Sequence, residues 1–136
     1  MTVNSEDSRI LVVDDEPVVR TGIARVLQGQ GLDVKLAANG NEALELMATE
    51  PANVVLLDIK MPGIDGVEVL RRIRASYPDT AVIMITGYPT IDNAIECTKL
   101  GAMDYLVKPF RVDELEALVL KAREQTTKDT LPPDEY

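Results

Sequence analysis

Asp14, Asp15, Asp58, Thr86 and Lys108 each follow directly on a short apolar run: ILVV before the acid pair, VVLL before Asp58, VIMI before Thr86 and YLV before Lys108. Such runs read as strands, and the unbroken VVLL, bounded by turn residues, fits one buried on both faces of a parallel sheet. Each polar group then stands at a strand's carboxyl end, the edge at which open α/β sheets bind ligands. Taken singly, an acid there reads as a helix cap, the threonine as turn chemistry and the lysine as a solvated charge. Convergence on one edge changes that reading. Three crowded carboxylates repel one another unless a cation joins them. The chain has no histidine and one cysteine, so the ligands are oxygens, which favour a hard ion. Mg²⁺ typically takes one or two carboxylates together with waters and a phosphate. A threonine hydroxyl and a lysine ammonium complete a site for phosphoryl oxygens.

The elements that must position these groups follow from periodicity. Strands are expected at Ile10–Val13, Val34–Ala37, Val54–Leu57, Ala81–Ile85 and Tyr105–Val107. Pro17 suits the first turn of a helix that ends near Gly29 or Gly31 and turns Val18, Val19, Ile23, Val26 and Leu27 inward. Further helices are predicted over about Asn41–Thr49, after Gly66 with Val67, Val69, Leu70 and Ile73 inward, around Ile91, Ala94, Ile95 and Thr98, and from Val112 to Glu124. Five strands alternating with five helices imply an α/β fold with a parallel, doubly wound sheet, because right-handed crossovers place helices on both faces. The expected domain spans 9–125, between a disordered tail at 1–8 and a disordered tail or truncated linker at 126–136.

Composition narrows the partners. With 14 basic and 23 acidic residues the net charge is -9, which argues against direct nucleic-acid binding by this segment. No run approaches the ~18 apolar residues of a membrane span, and Met1–Ser8 is unlike a signal peptide, so a cytoplasmic protein is expected. Cys97 is alone, which excludes an internal disulfide and a thiolate cluster. It reads as a small residue on a helix. The missing histidine removes His-based acid/base catalysis, a Ser-His-Asp triad and any phosphohistidine on this chain.

The segments ILVVDDE, VVLLDIKMPGIDG, IMITG and GAMDYLVKPF, in this order and spacing, resemble the receiver domain of bacterial two-component response regulators, over about residues 8 to 125. The resemblance implies a flavodoxin-like sheet of order 2-1-3-4-5. It implies that Asp58 is the phosphoacceptor, attacking a phosphohistidine on a sensor histidine kinase or histidine phosphotransfer protein. A carboxylate is ionised at pH 7 and needs no general base for this. It further implies Mg²⁺ held by Asp15 and Asp58, by Asp14 through water and by the backbone carbonyl of Lys60. Lys108 would pair with the phosphoryl group and Thr86 would move to hydrogen-bond it. Tyr105 resembles the switch aromatic, outward when Thr86 is free and inward when Thr86 is engaged. The Lys108–Pro109 bond is expected to be cis. Lys60 and Tyr88, each two residues past a site residue, are expected to hinder water and slow self-dephosphorylation. A homodimer formed on phosphorylation is a further expectation.

On this reading the chain is a signalling switch and not an enzyme with a separate substrate. The output is open between a stand-alone relay and the front of a longer regulator, and the GYPT and GAMDYLVKPF segments are similar to receivers attached to transcriptional activators. Three other readings compete with this one. A phosphatase of the haloacid dehalogenase type also uses an Asp nucleophile with Mg²⁺, but places a second Asp where this chain has Lys60. A phosphorylation-independent interaction module on the same fold would be expected to have lost part of the acid cluster, Thr86 or Lys108. A flavin protein would need more than 4% aromatic residues and no tryptophan offer for stacking.

Overall fold

The computed structural model describes residues 9–128. Five strands, β1 (Arg9–Val13), β2 (Asp33–Ala37), β3 (Val54–Asp58), β4 (Ala81–Thr86) and β5 (Asp104–Val107), alternate with five helices, α1 (Pro17–Gln28), α2 (Gly40–Thr49), α3 (Gly66–Ser76), α4 (Ile91–Lys99) and α5 (Val112–Lys128). All strand pairs are parallel, and the order is β2-β1-β3-β4-β5. The fold is therefore the five-stranded doubly wound sheet that the resemblance implies.

Alternation along the central strands divides the core into two layers. Leu11, Val13, Val55, Leu57, Val82 and Met84 pack on one face with residues of α2, α3 and α4, including Met47, Leu70 and Ile73. Ile10, Val12, Val54, Leu56, Ile83 and Ile85 pack on the other with α1 and α5 through Leu27, Leu115 and Val119. Every residue of β3 and β4 is buried, as strands covered on both faces must be. Each fully buried Leu, Ile or Val side chain here stabilises the fold by roughly 1.5–3 kcal/mol relative to exposure.

The helices begin where side chains can satisfy free N–H groups. Asn39, Asp65 and Thr90 accept from the backbone N–H of Glu42, Glu68 and Asn93 respectively, and Pro17 opens α1. At α2 the Glu42 carboxylate also accepts from the Ala38 N–H, closing a reciprocal capping arrangement.

Two apolar faces differ from the periodicity. Ile91 and Ile95 of α4 face solvent, and Cys97 is the residue of that helix that the core buries. On α1, Val18 is exposed while Ile23 and Leu27 reach the sheet. Both helices are short and carry apolar residues on two sides, so packing against the neighbouring layers selects the face. Helix α5 continues to Lys128, past the expected end at Glu124. The tail predicted at 1–8 and residues 129–136 lie outside the described residues. Among the described residues no helix is long and apolar enough to cross a membrane.

Candidate functional site

Strand register brings the predicted side chains together. Val13 of β1 lies opposite Leu57 of β3, so the next residues, Asp14 and Asp58, emerge side by side. Asp58 itself lies opposite Ile85, and Thr86 opposite Val107, which sets Thr86 and Lys108 at the same edge. The chain runs from β1 outward to β2 and then returns to β3 on β1's other side. The acids therefore stand at the point where strand order reverses, the place such sheets bind ligands.

Carboxylate oxygens of Asp14, Asp15, Glu16 and Asp58 all lie within 4.8 Å of one another. Asp14 and Asp58 are buried, while Asp15 and Glu16 are open to solvent. The Lys108 ammonium answers this charge, at 2.8 Å from Asp14 Oδ2, 3.0 Å from Glu16 Oε1 and 3.4 Å from Asp58 Oδ2. Burial alone would lower the Lys108 pKa, but its bonds to Asp14 and Glu16 and the charges of Asp58 and Asp14 outweigh that and hold it above the ordinary lysine value. The Asp58 pKa is raised too, but here burial works with the shift: burial first, then the charge of Asp14, lift it to about 6 against the counter-pull of Lys108. Two like charges in a partly dry site cannot both ionise freely.

The backbone around the acids is closely held. The Glu16 N–H donates to Asp14 Oδ1 at 2.8 Å, and Arg20 Nη1 donates to the Asp14 carbonyl at 2.7 Å. After β3, the Gly66 N–H donates to the Ile59 carbonyl at 2.7 Å. A Cβ at Gly66 would fall 2.0 Å from the Asp58 carbonyl oxygen, so only glycine lets α3 start this close to the Asp58 backbone. The Lys108–Pro109 peptide is cis, and the Lys108 N–H donates to the Thr86 carbonyl at 2.7 Å.

With this geometry in place, the comparisons with known proteins are decisive. The family model described as the response regulator receiver domain matches residues 10–120. The chain belongs to the response regulator receiver family. The receiver is 42% identical over 115 residues to the regulatory protein AtoC of Escherichia coli K12, covering 85% of this chain and 25% of that protein. It is 42% identical over 113 residues to the DNA-binding transcriptional regulator NtrC of Salmonella typhimurium LT2, covering 83% of this chain and 24% of that one. It thus spans about a quarter of each relative's length. Among solved structures, a CheY-like receiver domain protein from Methanospirillum hungatei JF-1 superposes with a TM-score of 0.87 at 30% identity, covering 90% of this chain and 98% of the other.

The receiver's donor set fits the Mg²⁺ that this family implies. Its donors are oxygens only, which suits a hard cation, and Asp14 Oδ2 is buried without a well-aligned hydrogen bond despite its contact with Lys108. Lys60 and Asp15 line a cleft of about 780 Å³ together with Met61, Asp65 and Asn93.

The two expected switch residues are held by neighbours other than the acids. The Thr86 side chain is buried, and its Oγ1 accepts from the Tyr88 N–H at 3.0 Å. Tyr105, opposite Met84 in the register, is half-buried and packs on the core layer containing Cys97. Its hydroxyl is shut off from solvent without a well-aligned hydrogen bond. The ring is thus turned inward while Thr86 is held by Tyr88, whereas the resemblance associates the inward ring with an engaged Thr86. Burial, and secondarily the neighbouring Cys97, raise the phenol's pKa, with the Thr90 backbone opposing them.

Three residues of the site's framework were absent from the sequence reading: Glu16 as a partner of Lys108, Arg20 on the Asp14 carbonyl, and Gly66 beneath Asp58. For Glu16 the available signal was its place directly after the acid pair.

Proposed function

We propose that the domain is a phosphorylation-dependent signalling switch in which Asp58 accepts a phosphoryl group from a phosphohistidine on a partner histidine kinase or phosphotransfer protein. The observation that carries this reading is the buried Asp58 carboxylate among three further acids within 4.8 Å, with Lys108 3.4 Å away. A carboxylate oxygen of Asp58 attacks phosphorus, the new O–P bond forms as the N–P bond breaks, and the electron pair stays with the departing imidazole. With a pKa of about 6, roughly nine-tenths of Asp58 is ionised at pH 7 without a base.

Bound Mg²⁺, held by Asp14, Asp15, Asp58 and the Lys60 carbonyl, would offset the negative charge that spreads over the phosphoryl oxygens. Lys108 shifts from the acids to those oxygens, adding a second cation from the chain itself. Little else is required, because positioning and charge compensation supply most of the acceleration in phosphoryl transfer. The Thr86 hydroxyl leaves the Tyr88 N–H for the phosphoryl group, and Tyr105 responds, so that phosphorylation biases a two-state equilibrium.

The partner's approach is supported by an apolar groove of about 620 Å³ beside Lys108, lined by Val18, Val19, Tyr88, Phe110 and Val112. The signal then passes to an output domain or protein in the cytoplasm, by analogy with the transcriptional regulators it is similar to. The domain turns over no separate substrate. Incubation with MgCl₂ and phosphoramidate should add one phosphoryl group by intact mass to the wild type and none to Asp58→Asn. Addition to the variant at the wild-type rate would assign the chemistry to another residue.

A further inference from the structure

Arg20 stands one turn into α1, beside four carboxylates, and pairs with none of them. Among the described residues it makes no ion pair within 4.0 Å; its Nη1 donates to the main-chain carbonyl of Asp14, at 2.7 Å. Arg20 is half-buried, which makes the choice of partner informative. An arginine serving only to neutralise charge would take a bidentate carboxylate where several are at hand. This one holds backbone.

The carbonyl it holds belongs to the residue at which β1 stops and the acid turn begins. The Asp14 N–H still follows the sheet, donating to the Ala37 carbonyl at 3.1 Å. The Asp14 carbonyl is directed to Arg20, and the Asp14 side chain is divided between the Glu16 N–H at 2.8 Å and Lys108 at 2.8 Å. The Arg20 N–H closes the arrangement by donating to the Glu16 carbonyl at 3.0 Å. Asp14, Asp15 and Glu16 are therefore spanned by bonds at both ends, and the guanidinium is the only side-chain donor among these bonds that comes from α1. Freed of it, the peptide between Asp14 and Asp15 can rotate and carry the Asp15 carboxylate out of the cluster.

We propose that Arg20 is a positioning residue for metal binding: fixed on the Asp14 carbonyl, it sets the turn that presents Asp14 and Asp15 to Mg²⁺. The inference rests on the reading of the acid cluster as an Mg²⁺ site. It separates cleanly from a purely electrostatic role, because the two predict opposite signs. A cation beside an acid cluster opposes the binding of a second cation, so by charge alone removing Arg20 tightens Mg²⁺. By position, removing it loosens Mg²⁺.

The test is a titration of wild type, Arg20→Gln and Arg20→Lys with MgCl₂, following the amide shifts of Asp14, Asp15 and Asp58, with Asp15→Asn as control. The positioning role predicts that Arg20→Gln binds about tenfold more weakly, the lower end of what loss of an outer-shell partner costs a metal site. Arg20→Lys, with a single donor able to reach the carbonyl, falls between at about threefold. Amide shifts in α3 and α4 and metal-free thermal stability stay close to wild type, which a general loss of folding would not allow. Equal or tighter binding by Arg20→Gln overturns the inference. Should that variant not fold, Arg20→Lys decides: wild-type affinity overturns it. Failure of the wild type to bind Mg²⁺, or equal binding by Asp15→Asn, instead strikes the assignment of the cluster itself.

Discussion

The Lys60 ammonium lies 4.7 Å from the centre of the Tyr88 ring, joining the loop that leaves Asp58 to the loop that leaves Thr86. The backbone N–H of the same Tyr88 holds the Thr86 hydroxyl. One residue thereby links Thr86, the proposed switch residue, to the loop of the proposed nucleophile. A cation over an exposed ring contributes about 0.5–1 kcal/mol.

That pairing makes the expected protection of the phosphoryl group a joint property. Lys60→Ala and Tyr88→Ala should each speed self-dephosphorylation by about two- to fivefold, the rate equivalent of the pair's strength. The double variant should be no faster than the quicker single one. Half-lives of the phosphorylated proteins after removal of the donor measure this; multiplicative effects would mean that the two side chains act independently.

Asp58 gives a pH dependence of definite sign. Its pKa of about 6 in the fold lies above its ordinary 3.8, so between about pH 4 and pH 6 the folded state binds more protons than the unfolded one. Stability contributed at low pH by the protonated form is therefore lost as pH rises through that window. In EDTA, urea unfolding at pH 4.5 and 6.5 should show the wild type losing stability relative to Asp58→Asn, which stays neutral throughout. Added Mg²⁺ at pH 7 should restore the wild type and leave the variant nearly unaffected, since only binding to the folded state stabilises it.

Gly66 tests how tightly the Asp58 backbone is packed. A methyl group there would meet the Asp58 carbonyl oxygen at 2.0 Å and the Ile59 Cα at 2.7 Å. Neither atom belongs to a flexible side chain that could swing away. Gly66→Ala should therefore cost about 2 kcal/mol or more, read as a lower urea midpoint at unchanged slope. Gly22, with nothing near its missing Cβ, is the contrast: Gly22→Ala, inside α1, should be neutral or stabilising by up to about 1 kcal/mol.

These outcomes rest on contacts of unequal visibility in the sequence. Asp14, Asp15, Asp58, Thr86 and Lys108 were legible because each follows on the apolar run of a strand, and parallel topology aligns such ends whatever the helices do. The strand order came with the family resemblance, since periodicity carries no information on which strands are neighbours. The outward turn of Ile91 and Ile95 was hidden because α4 has apolar residues on more than one side, and only the packed layers choose Cys97. The Lys108–Glu16 pair joins residues 92 positions apart, and Gly66 reads in sequence as an ordinary helix start. Such contacts depend on the position of backbone in space, which one-dimensional spacing does not encode.

Tyr105 carries the remaining prediction. Its hydroxyl is buried without a well-aligned hydrogen bond, a condition that costs free energy when a polar group leaves water for an apolar layer. Tyr105→Phe removes the hydroxyl and keeps the ring against the core, so the unphosphorylated domain should be equally stable or up to about 1 kcal/mol more stable. In an absorbance titration of the folded wild type, the burial that raises this phenol should make one tyrosine ionise above the usual range, and Tyr105→Phe should abolish that late phase. A stability loss well beyond 1 kcal/mol would instead show that the hydroxyl is well bonded in the resting state and that the ring's inward position depends on it.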